Sequence, residues 1–159
     1  MTHSSIGFIG AGNMAASLIG GLIAKGFDPK KLFASDPNTD ALQALAQRTG
    51  ITDCANNHAL VENSDVLVLA VKPQVMQSVL SDIAAVVQTR KPLIISIAAG
   101  ISIANICKWL SGDCAVVRCM PNTPALVQLG ASGLYANNKV NATQREQAKN
   151  ILAAVGIAL

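Results

Sequence analysis

The sequence predicts an α/β fold, a doubly wound and mostly parallel sheet with helices on both faces. Three observations carry that reading. Short apolar runs alternate along the chain with stretches whose apolar residues recur at helical spacing. The composition is 51% hydrophobic and only 13% charged, which suits strands covered on both sides. The first apolar run ends in a glycine-rich turn that opens an apolar-faced helix. Strands linked through helices make right-handed crossovers, and these place helices on both faces.

Ile6–Gly10 is the first apolar run. Met14, Ala15, Leu18, Ile19, Leu22 and Ile23 then mark a helix that stops at Gly26. Lys31–Ser35 reads as a strand. Asn38 caps a helix carrying Leu42, Leu45 and Ala46, which ends at Gly50. Val66–Val71 is the strongest buried strand, closed by Lys72–Pro73, with Pro73 suited to the first turn of a helix. That helix sets Val75, Met76, Val79, Leu80, Ile83, Val86 and Val87 on one face. Leu93–Ile97 is a strand. Ser102 caps a short helix with Ile103, Ile106 and Leu110, and Ala115–Cys119 is a strand. A turn at Pro121–Pro124 and a short strand at Ser132–Ala136 follow. Thr143-x-x-Glu146 has the form of a capping box, opening a helix through Ala153, and Gly156–Leu159 starts a last strand.

Composition excludes several roles. At 159 residues the chain is one domain, large enough to fold on its core alone. Its net charge is +3, and the basic pairs Lys30–Lys31 and Arg90–Lys91 form no phosphate-backbone footprint. Five scattered aromatics (Phe8, Phe27, Phe33, Trp109, Tyr135) make no base-stacking platform. The longest apolar stretch, Ile151–Leu159, is far short of the ~20 residues of a membrane span, and no signal-peptide pattern opens the chain. Cys54, Cys107, Cys114 and Cys119 include no C-x-x-C pair, and His3 and His58 are the only histidines. No metal site is expected, and the thiols are expected free in a cytoplasmic protein.

Ligands of such sheets bind at the carboxyl ends of the strands, near the switch in strand order. At the first strand end stands Gly10-Ala11-Gly12-Asn13-Met14-Ala15, a G-x-G-x-x-A pattern. Gly10 permits the tight turn, Gly12 lets the backbone approach a pyrophosphate, and Ala15 lets the helix pack close to the sheet. The pyrophosphate would rest on free amides at the helix N-terminus. Asp36 falls at the end of the second strand, as this Rossmann-like context requires. A carboxylate there accepts from the ribose 2′-hydroxyl of NAD and repels the 2′-phosphate of NADP; the alternative is a turn with Pro37 that faces solvent. Elsewhere equipment is sparse: no G-x-S-x-G, H-E-x-x-H or P-loop occurs. Cys119 beside Arg118 is either a reactive thiolate or an apolar strand residue. Lys72 is either a general acid or a strand-ending residue, and Trp109 is packing.

Four segments carry a family resemblance: IGFIGAGNMAASLIGGL (6–22), SDVLVLAVKPQ (64–74), ISIAAGI (95–101) and VRCMPNTPALVQLGASGLYA (117–136). They closely resemble pyrroline-5-carboxylate reductase, over the whole chain. The resemblance implies reduction of 1-pyrroline-5-carboxylate to L-proline, the last step of proline biosynthesis, with NADPH or NADH as donor. It implies pyrophosphate contacts at Ile9, Gly10, Ala11, Gly12, Asn13 and Met14, and adenosine-end contacts at Asp36 and Asn57. Ala70, Val71, Lys72 and Pro73 match the segment along the cofactor, and Ile97, Ala98 and Ala99 the segment near the nicotinamide-side ribose. Met120, Pro121 and Asn122 would lie close to the nicotinamide. The family often uses NADPH, whereas Asp36 leans to NADH, so both stand. A substrate that binds already protonated needs little acid–base machinery, and no catalytic residue is expected within the chain. Family members continue into an all-helical domain that holds the substrate carboxylate and builds a homo-oligomer. Residues 1–159 are therefore expected to be the dinucleotide-binding domain alone, inactive by itself. The alternatives are another NAD(P)-dependent imine or β-hydroxyacid reductase, or a non-catalytic nucleotide-binding module.

Overall fold

The computed structural model describes residues 4–119 and 134–154. Strands β1 (Ile6–Ile9), β2 (Leu32–Ser35), β3 (Thr52–Asp53), β4 (Val66–Leu69), β5 (Leu93–Ser96), β6 (Val116–Cys119) and β7 (Leu134–Ala136) form one sheet. Its order is β3-β2-β1-β4-β5-β6-β7. Every pairing is parallel except β6 with β7, which is antiparallel. The expected α/β class and strand direction are both present. The order runs outward from β1 to β3 on one side and from β4 onward on the other, so the switch falls between β1 and β4.

Among the described residues, six α-helices cover the sheet: α1 (Asn13–Ala24), α2 (Thr39–Thr49), α3 (Asn57–Glu62), α4 (Pro73–Arg90), α5 (Ile103–Trp109) and α6 (Ala142–Ala153). The two-residue period of the strands divides the core in two. Ile6 and Phe8 of β1, with Val66 and Val68 of β4, pack beneath α1, α2 and α6. Ile9 of β1, with Leu67 and Leu69 of β4, packs beneath α3, α4 and α5. Residues on all four positions of β4 are thus buried, which is why its sequence reads as an unbroken apolar run.

The structure corrects two expectations and adds three elements. The last helix opens at Ala142, not after Thr143. Asn141 is its cap, receiving the Gln144 amide at 2.8 Å while the Gln144 side chain accepts the Asn141 amide at 3.0 Å. The capping box therefore lies two residues earlier than Thr143–Glu146. The second strand opens at Leu32, since Lys31 closes a 3-10 turn over Pro29–Lys31 that sequence did not anticipate. The short β3 and α3 were likewise unanticipated, lacking the length to show a period. The turn at Pro121–Pro124, the start of the Ser132–Ala136 strand and the Gly156–Leu159 strand lie outside the described residues.

Candidate functional site

The carboxyl ends of four neighbouring strands are stitched into one edge by backbone bonds just past their last residues. Gly10 N–H donates to Ser35 C=O at 2.8 Å, Ala70 N–H to Ile9 C=O at 2.9 Å and Ile97 N–H to Leu69 C=O at 3.4 Å. These links draw Ile9, Gly10, Ser35, Leu69, Ala70 and Ile97 together.

The first two glycines serve different ends. Gly10 has φ +108°, and a Cβ there would stand 2.5 Å from the Ala70 carbonyl oxygen. Both the turn and the close approach of β4 require glycine. Gly12 has an ordinary extended backbone, φ −80° and ψ −166°, and a Cβ on it would meet nothing within 4 Å. No contact within the described fold demands a glycine there; the space it leaves is open. Ala15 is fully buried and packs into the core beneath α1, so its small size serves the helix–sheet contact.

Helix capping sets two helices apart. Asn38, Asn56, Ser102 and Asn141 cap α2, α3, α5 and α6 with side-chain oxygens. The N-caps of α1 and α4, Gly12 and Lys72, provide no side-chain bond. Pro73 occupies the first turn of α4, as its sequence position foretold. The N-termini of α1 and α4 flank the β1–β4 switch, so the first-turn amides of Asn13 and Met14 have no side-chain acceptor at the place where α/β sheets take ligands.

Asp36 is neither a free ribose ligand nor a loose turn residue. Its Oδ2 accepts the Ala11 amide at 2.7 Å, and its Oδ1 accepts the Asn38 amide at 2.8 Å. The carboxylate therefore bolts the glycine loop to the β2–α2 turn with two charge-assisted bonds. Beside it, Ser35 Oγ donates to Asn57 Oδ1, joining the end of β2 to the first turn of α3. Ser35 was read from sequence as the end of a strand, without a side-chain role; its signal was a polar residue closing an otherwise apolar strand.

On the far side of the switch, Ala70 and Val71 are half-buried and Lys72 is exposed. Ile97 and Ala98 follow β5, and the Ala98 amide donates to the buried Ser96 hydroxyl at 3.3 Å, while Ala99 is exposed. Met120, Pro121 and Asn122 lie outside the described residues. Cys119, which precedes them, is fully buried, and burial pushes its thiol up to about 11, the behaviour of an apolar strand residue. Its neighbour Arg118 has a buried Nε with no hydrogen-bond partner among the described residues. All four cysteines are free thiols, and no cluster of metal-ligating side chains occurs among the described residues. No described helix is long and apolar enough to cross a membrane. Trp109 is partly buried against the core beneath α3, α4 and α5. A separate cavity of about 410 Å³, lined in part by Lys91, Asp113, Cys114 and Lys139, opens at the amino ends of β5 and β6.

Known proteins match this arrangement. Residues 5–100 fit the model of a family described as NADP oxidoreductase, coenzyme F420-dependent. The chain is 51% identical over 159 residues to pyrroline-5-carboxylate reductase of Pseudomonas aeruginosa, covering 100% of this chain and 58% of that protein. Among solved structures it is similar to a pyrroline-5-carboxylate reductase from Coxiella burnetii, with TM-score 0.91 and 39% identity over 99% of this chain and 58% of that one. The Plasmodium falciparum pyrroline carboxylate reductase with NADP bound gives TM-score 0.82 and 29% identity, over 100% of this chain and 58% of that one. The chain thus spans a little over half the length of these relatives.

Proposed function

The chain belongs to the family described as F420-dependent NADP oxidoreductases, and from that premise we propose that it is the cofactor-holding part of a pyrroline-5-carboxylate reductase. When bound, NADPH or NADH supplies the hydride that reduces the C=N bond of 1-pyrroline-5-carboxylate to L-proline, closing proline biosynthesis. The observation that carries this reading is Gly12: open space where a Cβ would stand, at the head of a helix without a side-chain cap.

In this reading Asn13 and Met14 present their amides to the pyrophosphate, aided by the α1 dipole. Ile9, Gly10 and Ala11 shape the floor of that loop. Asp36 and Asn57 face the adenosine end. Ala70, Val71, Lys72 and Pro73 line the groove beside the switch, and Ile97, Ala98 and Ala99 flank the nicotinamide-side ribose. Met120, Pro121 and Asn122 are assigned to the nicotinamide end by resemblance alone. The substrate's carboxylate and the homo-oligomer contacts are assigned to the part of the longer relatives that lies outside the matched region. A cytoplasmic setting accords with the four free thiols.

Calorimetric titration of the 159-residue chain with NADH and NADPH tests the reading. Saturable binding of at least one is expected, with Gly12→Val lowering affinity more than ~10-fold by filling the phosphate approach while leaving the melting temperature unchanged. Steady proline formation by the chain alone would contradict the assignment of the substrate site elsewhere. Absence of any dinucleotide binding would overturn the whole reading.

A further inference from the structure

We infer that Cys107 and Cys114 form a redox site, at which a low-molecular-weight disulfide such as oxidised glutathione converts the two thiols into an intramolecular disulfide that staples α5 to β6. The inference is independent of the dinucleotide reading, because Cys114 stands at the amino end of β6, away from the carboxyl edge of the sheet.

Two of the four thiols meet. Cys107 sits in the last turn of α5, and Cys114 lies two residues before β6. Their side chains are close enough for a weak hydrogen bond and a mutual electrostatic effect. Several bonds hold the two residues in place. The Gly112 amide donates to the Cys107 carbonyl at 3.1 Å, and the Cys114 thiol donates to the Gly112 carbonyl at 3.5 Å. Asn137 Nδ2 donates to the Cys114 carbonyl at 2.7 Å and anchors that backbone. From α4, Gln88 Nε2 donates to the Leu110 carbonyl at 3.0 Å and to the Cys114 sulfur at 3.5 Å. Bringing two sulfurs from hydrogen-bond reach to a bond of about 2 Å asks for side-chain rotation, not a new chain path. The other two cysteines lie elsewhere. Cys54 follows β3, the far edge strand, and Cys119 closes β6 at its carboxyl end.

Access sets the order of the steps. Cys107 is half-buried, whereas Cys114 is buried at the wall of the cavity of about 410 Å³. First, the Cys107 thiolate attacks one sulfur of the small disulfide. That S–S bond breaks, one small thiolate leaves, and a mixed disulfide forms on Cys107. Next, Cys114 gives its proton to water, and its sulfur attacks the Cys107 sulfur and expels the second small thiolate. The protein loses two electrons and two protons, and the small disulfide takes up both to become two thiols. Burial pushes the Cys114 thiol up to about 11, although the Gln88 N–H and the Lys91 charge act the other way, so the second step is the slower one. Under reducing conditions the pair rests as two thiols, and the bond forms when the thiol pool is oxidised.

The test is exposure of the folded 159-residue chain to oxidised glutathione, then alkylation of the remaining thiols and mass spectrometry of tryptic peptides. Lys108 and Arg118 are cleavage sites, so Cys107, Cys114 and Cys119 fall on separate peptides. A cross-linked pair joining Cys107 to Cys114 is expected, with Cys54 and Cys119 alkylated. Cys114→Ser should stop at a glutathionyl adduct on Cys107, and Cys107→Ser should react at least about tenfold more slowly than the wild type. The oxidised wild type should melt roughly 5 °C or more above the reduced chain, because the closed loop constrains the unfolded state. A wild-type adduct on Cys107 that never closes, or a bond that includes Cys54 or Cys119, overturns the inference. So does an oxidised chain that melts lower than the reduced one, or no reaction with millimolar oxidised glutathione. If a serine variant fails to fold, the wild-type peptide map and the melting comparison still decide.

Discussion

Asp65 shows how much of a residue's behaviour is set by its neighbours. Burial opposes its ionisation, but the Arg90 guanidinium, the Ser5 amide and the charge of Lys31 outweigh that and hold its carboxyl below the usual range. A carboxyl lowered by folding stabilises the fold fully above its unfolded value, ~3.9, and loses that contribution as pH falls through the lower folded value. Urea unfolding of the wild type and Asp65→Asn should therefore differ at pH 7 and converge as pH falls through the lowered folded value. Both partners of the ion pair are partly exposed, so the gap at pH 7 should be small. A gap that does not narrow on acidification would show that the pair does not act through charge. Sequence could not give this pairing, because Asp65 and Arg90 meet only once β4 and α4 are placed. The same limit held for Asp36. The ribose and turn readings were both framed from sequence; the structure shows the turn bond to Asn38 and adds a loop bond to Ala11 that spacing could not reveal. Gly10, by contrast, was legible, because a tight turn after a strand has one steric solution.

At the scale of elements, the apolar period identified the long helices and could not place their ends. The buried stripe of α6 is Ala148, Ile151 and Leu152, and it is satisfied whether the helix opens at Asn141 or Thr143. The sequence reading placed the box at Thr143–Glu146, and the structure places it two residues earlier, at Asn141–Gln144. Asn141→Ala should therefore cost about 1 kcal/mol of stability, and Thr143→Ala less than about 0.5. Chemical denaturation of the two variants decides it, and the opposite ranking would return the cap to Thr143. The missed α3 had a readable start, Asn56, whose side chain caps Ala59. Its six residues give too few apolar positions to reveal a period, and β3 is only a two-residue edge. Close approach between elements was also invisible. A Cβ on Gly21 of α1 would stand 2.1 Å from the Ala154 carbonyl oxygen just past α6, a meeting of residues 133 apart in sequence.

For the whole molecule, the alternation of strands and helices was enough to give the class, the parallel direction and the edge on which to look. It did not give the strand order, because adjacency of β1 and β4 depends on where the chain crosses back over β1. That adjacency brings the two helix heads without side-chain caps to one crevice. The sheet's free energy of folding is therefore tied to whatever occupies that crevice. A ligand that binds only the folded chain at a hundred times its dissociation constant adds about 2.7 kcal/mol, and the melting temperature should climb steadily with NADH concentration. A melting point indifferent to millimolar NADH would show that the crevice is not occupied.

The two open helix heads also make the chain's rigidity a variable rather than a constant. Among the described helices four carry side-chain caps, and α1 and α4 do not. Hydrogen-exchange protection in the first turns of α1 and α4 should then report the cellular supply of reduced dinucleotide, while the first turns of α2 and α6 stay indifferent to it.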